Sequence, residues 1–348
     1  MLKNCAGVSV AEYVPKDVGL VRYAQGDVLL ANIRPYLKKL WRATRNGGCS
    51  SDVVVFRSRS SGLSSEYLFA ALSQDRFFDY VMQKPRGTKM PRGDRDWMKG
   101  FEFPLPPLSV QREIVARLER ELGAVDKLAK KFEELEAAAE AEFKAELKET
   151  FEEIKHGGTE TQRLGDVLET GAGGTPLKQH RDYYDGGDIP WLRSGEVCKR
   201  DITATELFIT KEGMDNSSAK LFPAGSVVVA MYGATAGQVG ILRLNATTNQ
   251  AVCAILPSAK YVPEFMYYQL SGMKETMVAQ AQGGAQPNIS QIKIRNLEIM
   301  LPSRSDQSRV VARLDAAKAK KEKLAAAARR GRETATLMRK AILKESFE

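Results

Sequence analysis

The side chains best suited to chemistry in this chain are basic groups gathered in short polar segments. Two of these segments, residues 33–45 and 83–95, are rich in arginine and lysine, and the first also contains the aromatic residues Tyr36 and Trp41. The whole chain carries a formal net charge of +9. Such an excess permits a polyanion as partner, and nucleic acid is the commonest one. The basic residues singled out in the two segments are Arg34, Lys38, Lys39, Arg42, Lys84, Arg86, Lys89 and Arg92.

Catalytic arrangements are missing from the sequence. It contains neither a GxSxG nucleophile turn nor an HExxH zinc motif, and GAGGTP at residues 171–176 lacks the Lys-Ser/Thr of a phosphate loop. The two histidines, His156 and His180, have no evident partners for acid–base work. No Asn-Pro-Pro-Tyr or Asp-Pro-Pro-Tyr methyltransferase sequence occurs. These observations favour recognition or scaffolding over catalysis, so the chain is not expected to be an enzyme.

The composition is that of a soluble globular protein, with 43% hydrophobic residues. No apolar run approaches the roughly 18 residues that a membrane span needs, and no signal pattern opens the chain. The four cysteines are scattered and form no CxxC pair. We therefore expect a cytoplasmic protein without a metal site or disulfides and without a membrane partner.

The elements that would position these side chains are repeated. LPPLSVQREIVARL at residues 105–118 returns as LPSRSDQSRVVARL at 301–314, and LKETFE at 147–152 returns as LKESFE at 343–348. Both pairs lie 196 positions apart, so the tract between the two motifs has the same length in each copy. A repeat of this size indicates two copies of one large unit, rather than a solenoid of short modules.

Four segments follow from the repeat: a first domain at 1–104, a helix at 105–152, a second domain at 153–300 and a helix at 301–348. Each domain mixes strands and helices, with buried strands predicted at 28–33 and 52–56 and a helix at 66–81. Ser109 is the predicted N-cap of the first long helix, and HGGT at 156–159 ends it. Apolar residues recur every three or four positions along both long helices, which is typical of a coiled coil.

The two long helices differ in charge, because the first is rich in glutamate and the second in lysine and arginine. Complementary charges favour pairing of the two helices with each other, and an antiparallel arrangement is expected. The predicted fold is α+β: two mixed α/β domains separated by two long helices that form an antiparallel coiled coil. Solvated, unpaired charges are the plainer alternative.

The ordered motifs resemble the specificity subunits of type I restriction–modification systems. The resemblance rests on GDIPWLRSGEV (187–197), FPAGSVVVAMYGATAG (222–237), TTNQAVCAI (247–255) and GGAQPNIS (283–290), together with the repeated LP-to-Q helix starts. It implies two target-recognition domains that read a split target in double-stranded DNA, with helical spacers that set the gap. It also implies two methyltransferase subunits, which use S-adenosylmethionine, and translocating restriction subunits as partners, with no cofactor in this chain.

Under this resemblance the basic segments of the first domain become DNA contacts. In the second domain, the loop at 230–240 and the amide-rich segment at 279–290 offer hydroxyl and amide groups, and amides can pair with adenine in the major groove. Capping of a turn by Asn288 and Ser290 is the structural alternative, and Trp191 is predicted to lie in the core. The DNA-contact candidates of the second domain are Lys178, Arg181, Arg193, Tyr232, Thr235, Gln238, Gln282, Gln286 and Asn288.

One departure from the family pattern concerns the start of the first copy. The second copy spans 196 residues from about 153, whereas the first spans 152, so about 44 residues that correspond to the start of the second copy are missing. A structural assembly scaffold with impaired DNA reading in the first half is therefore the alternative function. A methyltransferase acting alone is a further alternative, against which the missing catalytic motif argues.

Overall fold

The computed structural model describes Val8, residues 19–279 and residues 288–348. These residues form two compact units: unit 1 combines the described part of Met1–Leu135 with Ala326–Glu348, and unit 2 is Glu136–Ala325. Each unit contains strands, short helices and part of both long helices. The α+β class predicted from the sequence is confirmed.

Unit 1 is built around a three-stranded antiparallel sheet. Its described strands are β1 (Val21–Tyr23), β2 (Val28–Ala31), β3 (Leu40–Arg42), β4 (Gly47–Cys49), β5 (Val53–Phe56), β6 (Pro85–Arg86) and β7 (Arg92–Gly93). Strand β2 lies between β3 and β5, while β1 pairs with β4 and β6 with β7. The helices are α1 (Ser65–Leu72), α2 (Asp75–Val81), α3 (Arg95–Met98) and the first part of α4 (Leu108–His156).

The alternation along β2 divides the unit 1 core between two faces. Val28 and Leu30 are fully buried and pack with Phe77 and other apolar residues of α1 and α2. Leu29 belongs to a separate cluster with Trp41. Since successive strand side chains point to opposite faces, an unbroken apolar run here means a strand covered on both sides. The buried strand predicted at 28–33 is confirmed, although it ends at Ala31.

The prediction of a single helix at 66–81 is wrong, because the helix is interrupted at residues 73 and 74, between α1 and α2. Gln74 adopts an extended backbone conformation before α2. The Ser73 hydroxyl donates to the Phe69 carbonyl at 2.7 Å, and the Gln74 amide donates to the Ala71 carbonyl at 2.9 Å. These polar side chains satisfy carbonyls that a helix end leaves free, and the break allows Phe77 to enter the core.

Unit 2 contains a five-stranded sheet, a four-stranded sheet and a two-stranded pair. Its described strands are β8 (Thr161–Arg163), β9 (Thr170–Ala172), β10 (Ile189–Leu192), β11 (Asp201–Ile202), β12 (Leu207–Ile209), β13 (Leu221–Phe222), β14 (Val227–Ala230), β15 (Val239–Leu242), β16 (Ala246–Thr248), β17 (Val252–Ile255) and β18 (Glu298–Met300). Its helices are the end of α4, α5 (Leu164–Val167), α6 (Lys211–Asp215), α7 (Pro263–Gly272), α8 (Lys274–Ala279), α9 (Gln291–Arg295) and the first part of α10 (Arg304–Glu345).

Strand β14 is the centre of unit 2. It pairs with β15 and β17, and these pair outward with β11 and β9. Val227 and Val229 pack with the helices, whereas Val228 packs towards the four-stranded sheet of β12, β10, β16 and β13. Trp191 in β10 is 4% exposed, and its indole donates to the Gly174 carbonyl at 3.0 Å. Its predicted place in the core is confirmed.

The long helices match their predicted positions apart from their ends. Helix α4 begins at Leu108, and the Gln111 amide donates to the Pro107 carbonyl at 3.0 Å. Ser109 therefore lies inside the first turn and is not the N-cap. Helix α4 ends at His156, and Gly158 follows with φ +86°, as expected for a glycine that terminates a helix.

Within each unit the two long helices run antiparallel. In unit 1, Asp126 of α4 contacts Arg339 of α10 at 2.7 Å, and Arg117 donates to Ser346 at 3.0 Å. From Arg117 to Asp126 the residue numbers of α4 rise, while those of their partners fall from Ser346 to Arg339. The two helices therefore run in opposite directions.

The pairing in unit 2 confirms the predicted charge complementarity. The contacts join acidic residues of α4 to basic residues of α10: Glu140 to Lys321 at 3.2 Å, Glu142 to Lys320 at 2.6 Å, and Glu146 and Glu153 to Arg313 at 2.5 and 2.6 Å. The two glutamates raise the pKa of the Arg313 guanidinium. Exposed pairs of this kind contribute about 0–1 kcal/mol each, so they select the partner more than they stabilise the fold.

Candidate nucleic-acid interface

A buried glutamine joins the long helix of unit 1 to the segment before α1. Gln111 is fully buried. Its side-chain oxygen accepts from the Ser64 amide at 3.0 Å, and its side-chain NH₂ donates to the carbonyls of Gly62 and Pro106 at 2.7 Å each. One side chain thus satisfies three backbone groups and fixes the start of α1 relative to α4.

The same arrangement occurs in unit 2. Gln307, also fully buried, accepts from the Val262 amide at 2.7 Å and donates to the carbonyls of Lys260 and Pro302 at 2.9 Å each. Gln111 and Gln307 are the glutamines of the two LP-to-Q motifs. Their role as a clamp was not predicted, although the spacing of the repeated motif was the signal that pointed to them.

The second repeated motif closes each unit with an aromatic contact. The Phe347 ring lies 5.2 Å from the Tyr67 ring in unit 1, and the Phe151 ring lies 5.5 Å from the Phe265 ring in unit 2. Phe347 and Phe151 belong to LKESFE and LKETFE. The repeated residues therefore hold the helices of both units in the same way.

These supports position a loop that lies against a hairpin in unit 1. The unit 1 loop, residues 33–39, follows β2 and leads into β3. Ile33 forms a β-bridge with Arg92, and the Arg34 amide donates to the Pro91 carbonyl at 2.8 Å. The loop is therefore fixed beside the basic hairpin, which comprises residues 84–93 and includes β6 and β7.

The unit 2 loop, residues 232–238, is the counterpart of the unit 1 loop. Tyr232 forms a β-bridge with Asn288, and the Ile289 amide donates to the Met231 carbonyl at 2.9 Å. Tyr232 lies 199 positions after Ile33, and Asn288 lies 196 positions after Arg92. Two candidate segments that are far apart in each half of the sequence are thus brought together in the same way.

Both loops pass through the left-handed region at the same two positions. In unit 2 the residues are Gly233 and Gly237, each with φ +76°, whereas in unit 1 they are Arg34 and Lys38, with φ +54° and +50°. A side chain in this region costs roughly 1–2 kcal/mol because Cβ approaches the following carbonyl oxygen. The unit 1 loop is therefore strained at two basic residues.

The strain at Lys38 is offset by contacts within unit 1. Its ammonium lies 2.5 Å from the Asp75 carboxylate and 5.7 Å from the centre of the Phe78 ring. Partial burial raises the pKa of Asp75, but Lys38 and Lys340 lower it further, so that the net pKa lies below the usual range. Lys38 is thus partly committed to holding the loop on α2.

Several other predicted contacts of unit 1 also have intramolecular partners. Two hydrogen bonds from Arg86 to Asp94, at 2.9 and 2.6 Å, hold the pKa of that carboxyl below its usual range. Arg42 forms an ion pair with Glu66 at 2.7 Å, and Arg92 forms one with Asp52 at 3.2 Å. The Lys84 ammonium lies 3.9 Å from the centre of the Trp97 ring.

Three of the predicted DNA-contact residues of unit 1 have side chains without a partner among the described residues. Within residues 19–279 and 288–348, the side chains of Arg34, Lys39 and Lys89 make no hydrogen bond or ion pair. Arg34 and Lys89 are exposed and Lys39 is half-buried. Free cations on a surface loop and an adjacent hairpin are suited to contact a polyanion.

The unit 2 loop carries polar but uncharged candidates. Tyr232 is 37% exposed, Gln238 is half-buried, and the Thr235 hydroxyl donates to the Ser194 carbonyl at 2.9 Å. Asn288 is exposed beside Tyr232, and does not cap a helix. The structural alternative is correct for Ser290, whose hydroxyl accepts from the Lys293 amide at the start of α9.

The remaining DNA-contact candidates of unit 2 differ in exposure and in ion pairing. Lys178 and Arg181 are exposed, whereas Arg193 is paired with Glu196 and Glu206. Gln282 and Gln286 lie outside the described residues.

Arg200, a basic residue next to this set, has a structural role. It lies 2.9 Å from Asp201 and 2.5 Å from Asp315 of α10, which also accepts from the Tyr268 hydroxyl at 2.6 Å. Burial lowers the pKa of Arg200, but the two carboxylates raise it further, so the net shift is upward. The guanidinium ties the residue before β11 to α10.

Groups for metal binding are not gathered in the described part of the chain. No cluster of three or more His, Cys, Asp or Glu residues there could hold a metal ion. Nor do the helices of those residues include one long and apolar enough to cross a membrane.

The comparisons with known proteins cover different parts of the chain. Residues 157–327 match the family model described as "Type I restriction modification DNA specificity domain". The specificity subunit of type I restriction enzyme EcoR124I/EcoR124II from Escherichia coli is 26% identical over 242 residues, which is 64% of this chain and 57% of the relative. The MjaVIII specificity subunit from Methanocaldococcus jannaschii is 22% identical over 295 residues, or 78% of this chain and 67% of the relative. The chain thus matches just over half the length of the first of these relatives.

Solved structures share the fold. A chain from a study of complex assembly and conformational transition in the type I R-M system gives a TM-score of 0.78 at 23% identity, and covers 94% of this chain and 83% of that one. The HsdS subunit from Thermoanaerobacter tengcongensis gives a TM-score of 0.58 at 21% identity, and covers 99% of this chain and 88% of that one.

Proposed function

We propose that this chain is a specificity subunit of a type I restriction–modification system and reads a bipartite target in double-stranded DNA. Unit 1 reads one half of the target and unit 2 the other. The observation that carries the proposal is the duplicated loop, which a β-bridge fixes beside the same partner segment in both units. A repeated support with different side chains suits the recognition of two different short sequences.

Both units present groups suited to DNA, and these groups include some that suit phosphate oxygens and some that suit base edges. The unit 1 loop and the basic hairpin present Lys39 and Lys89, which suit phosphate oxygens. The unit 2 loop and Asn288 present amide and hydroxyl groups, which suit base edges. Lys178 and Arg181, which are exposed in unit 2, remain proposed phosphate contacts.

The chain acts as a scaffold for catalytic partners and does no chemistry itself. Two methyltransferase subunits dock on it and transfer a methyl group from S-adenosylmethionine to adenine, and restriction subunits join this complex in the cytoplasm. The absence of a catalytic motif from the sequence supports this division of labour. The long helices, which form an antiparallel pair in each unit, set the unread gap between the half-sites.

The test is to express the chain with its methyltransferase subunit and to sequence the methylated genome. We expect one methylated motif with two specified halves and a fixed gap. Binding of the purified complex to that motif should weaken steeply with salt, because each neutralised phosphate releases a counterion. A motif with only the half assigned to unit 2 would favour the scaffold alternative, and methylation by the chain alone would show that it is an enzyme.

A further inference from the structure

Arg34 stands out among the basic residues of unit 1 because its backbone is strained and its side chain has no described partner. Its φ is +54°, and among the described residues its backbone amide and carbonyl make hydrogen bonds, to Pro91 and Leu37, whereas the guanidinium makes none. Strained non-glycine residues tend to occur where a side chain has a task outside the fold. Lys38 offers the contrast, since its strain is offset by Asp75.

The counterpart in unit 2 shows that the backbone does not require a side chain here. Gly233 has the same left-handed conformation, and a Cβ added to it would meet no atom within 4 Å. Space for a side chain therefore exists in both loops, and glycine is the unstrained choice in both. Unit 1 carries arginine at this position despite the strain.

The difference between the units indicates what kind of contact Arg34 makes. Contacts to phosphate position a protein on any duplex, whereas contacts to base edges carry the sequence. A side chain present in one unit and missing at the same backbone position of the other is expected for a contact to a base. Arginine most often reads guanine, through its N7 and O6 atoms.

We propose that Arg34 is a specificity-determining residue that reads a guanine in the half-site recognised by unit 1. This inference rests on the proposed function. The bridge between Ile33 and Arg92 fixes the loop on the basic hairpin and so presents the guanidinium from a rigid support. Lys39 and Lys89 remain available for the neighbouring phosphates.

The test compares Arg34→Gly and Arg34→Ala in the complex with the methyltransferase subunit. Both variants lose the side chain, but only glycine relieves the backbone strain. We expect both to lose discrimination at one position of the unit 1 half-site, from about tenfold or more in the unaltered protein to less than about twofold. The other half-site should stay unchanged. The Tm of Arg34→Gly should equal that of the unaltered protein or exceed it by up to about 3 °C, so a loss of discrimination cannot come from unfolding.

Arg59→Gly is the matched control, because Arg59 is an exposed arginine outside the loop and the hairpin. It should leave the methylated motif unchanged. Binding that weakens equally on all sequences, with a salt slope smaller by about one, would show a phosphate contact and overturn the proposal. Unchanged discrimination in both variants would also overturn it while leaving the proposed function intact. If the unaltered complex shows no split motif, the proposed function fails, and this inference fails with it.

Discussion

Replacement of Gln111 by alanine should destabilise unit 1 at the junction between α1 and α4. The side chain is fully buried and makes three hydrogen bonds to backbone groups at 2.7–3.0 Å. Alanine would leave the Ser64 amide and two carbonyls without these partners and would open a cavity of the size of the four heavy atoms lost beyond Cβ. Gln111→Glu keeps the acceptor but loses both donations and buries a charge, so it should be at least as damaging.

The magnitude follows from the groups left unsatisfied. Each buried donor or acceptor without a partner costs about 1–3 kcal/mol, and the lower end applies here because Gly62, Ser64 and Pro106 are half-buried. We therefore expect a loss of about 3 kcal/mol in the free energy of unfolding of unit 1. For a unit of this size, that corresponds to a fall in Tm of about 6–12 °C.

The assay is thermal unfolding combined with amide hydrogen exchange. Exchange should accelerate at residues 62–68 in Gln111→Ala, with unit 2 protected as before. The matched variant Gln307→Ala should show the reverse pattern, with faster exchange around Val262. Gln83→Ala, which removes an exposed glutamine, should change neither. A Tm for Gln111→Ala within about 2 °C of the Gln83→Ala value, with unchanged exchange at 62–68, would refute the clamp.

Three further outcomes are expected. Gly331→Leu should lower the Tm, because a Cβ at Gly331 would lie 2.3 Å from the Phe132 ring and overpacking costs about 1–3 kcal/mol. In thermal unfolding, the double variant with Phe132→Ala should regain much of the lost Tm. An equally low Tm in the double variant would argue against this contact. A hydrogen bond from Arg57 is the largest cause that holds the pKa of Asp27 below its usual range. Its stabilising effect is therefore present above the unfolded-state pKa and is lost as the pH falls through the lower folded-state pKa. Denaturant unfolding at pH 5 and pH 3 should therefore show a smaller drop in stability for Asp27→Asn than for the unaltered protein, and equal drops would contradict this assignment. Insertion of one heptad at corresponding positions of α4 and α10 adds about 10.5 Å of helix, so methylome sequencing should show a longer gap between the half-sites, and an unchanged gap would contradict the spacer role.

The large-scale organisation could be predicted because it depends on periodic patterns. The offset of 196 residues between the paired motifs, the apolar spacing and the opposite charges were enough to identify two long antiparallel helices. The break between α1 and α2 was missed because the apolar pattern of 66–81 continues across it. Only the side-chain hydrogen bonds of Ser73 and Gln74 make the interruption favourable.

The candidate interface was predictable in composition but not in arrangement. Charge patterns pointed to the loop and to the hairpin separately, but no pattern in either segment indicated that Ile33 would bridge to Arg92. The ion pairs of the basic residues could not be predicted either, because the partners of Arg42 and Lys38 lie 24 and 37 positions away in sequence. The left-handed backbone of Arg34 could not be predicted, since an isolated arginine carries no signal of its φ angle.

The division of the units along the chain has a consequence for synthesis on the ribosome. Unit 2 is one continuous segment, whereas unit 1 needs Ala326–Glu348, including the Phe347 that packs on Tyr67. After Leu135 has been made, the 190 residues of Glu136–Ala325 must be translated before this last piece appears. At about 5–20 residues per second, the delay is roughly 10–40 s. The half that starts first would therefore be completed last, and its exposed apolar helix would need protection in the interval.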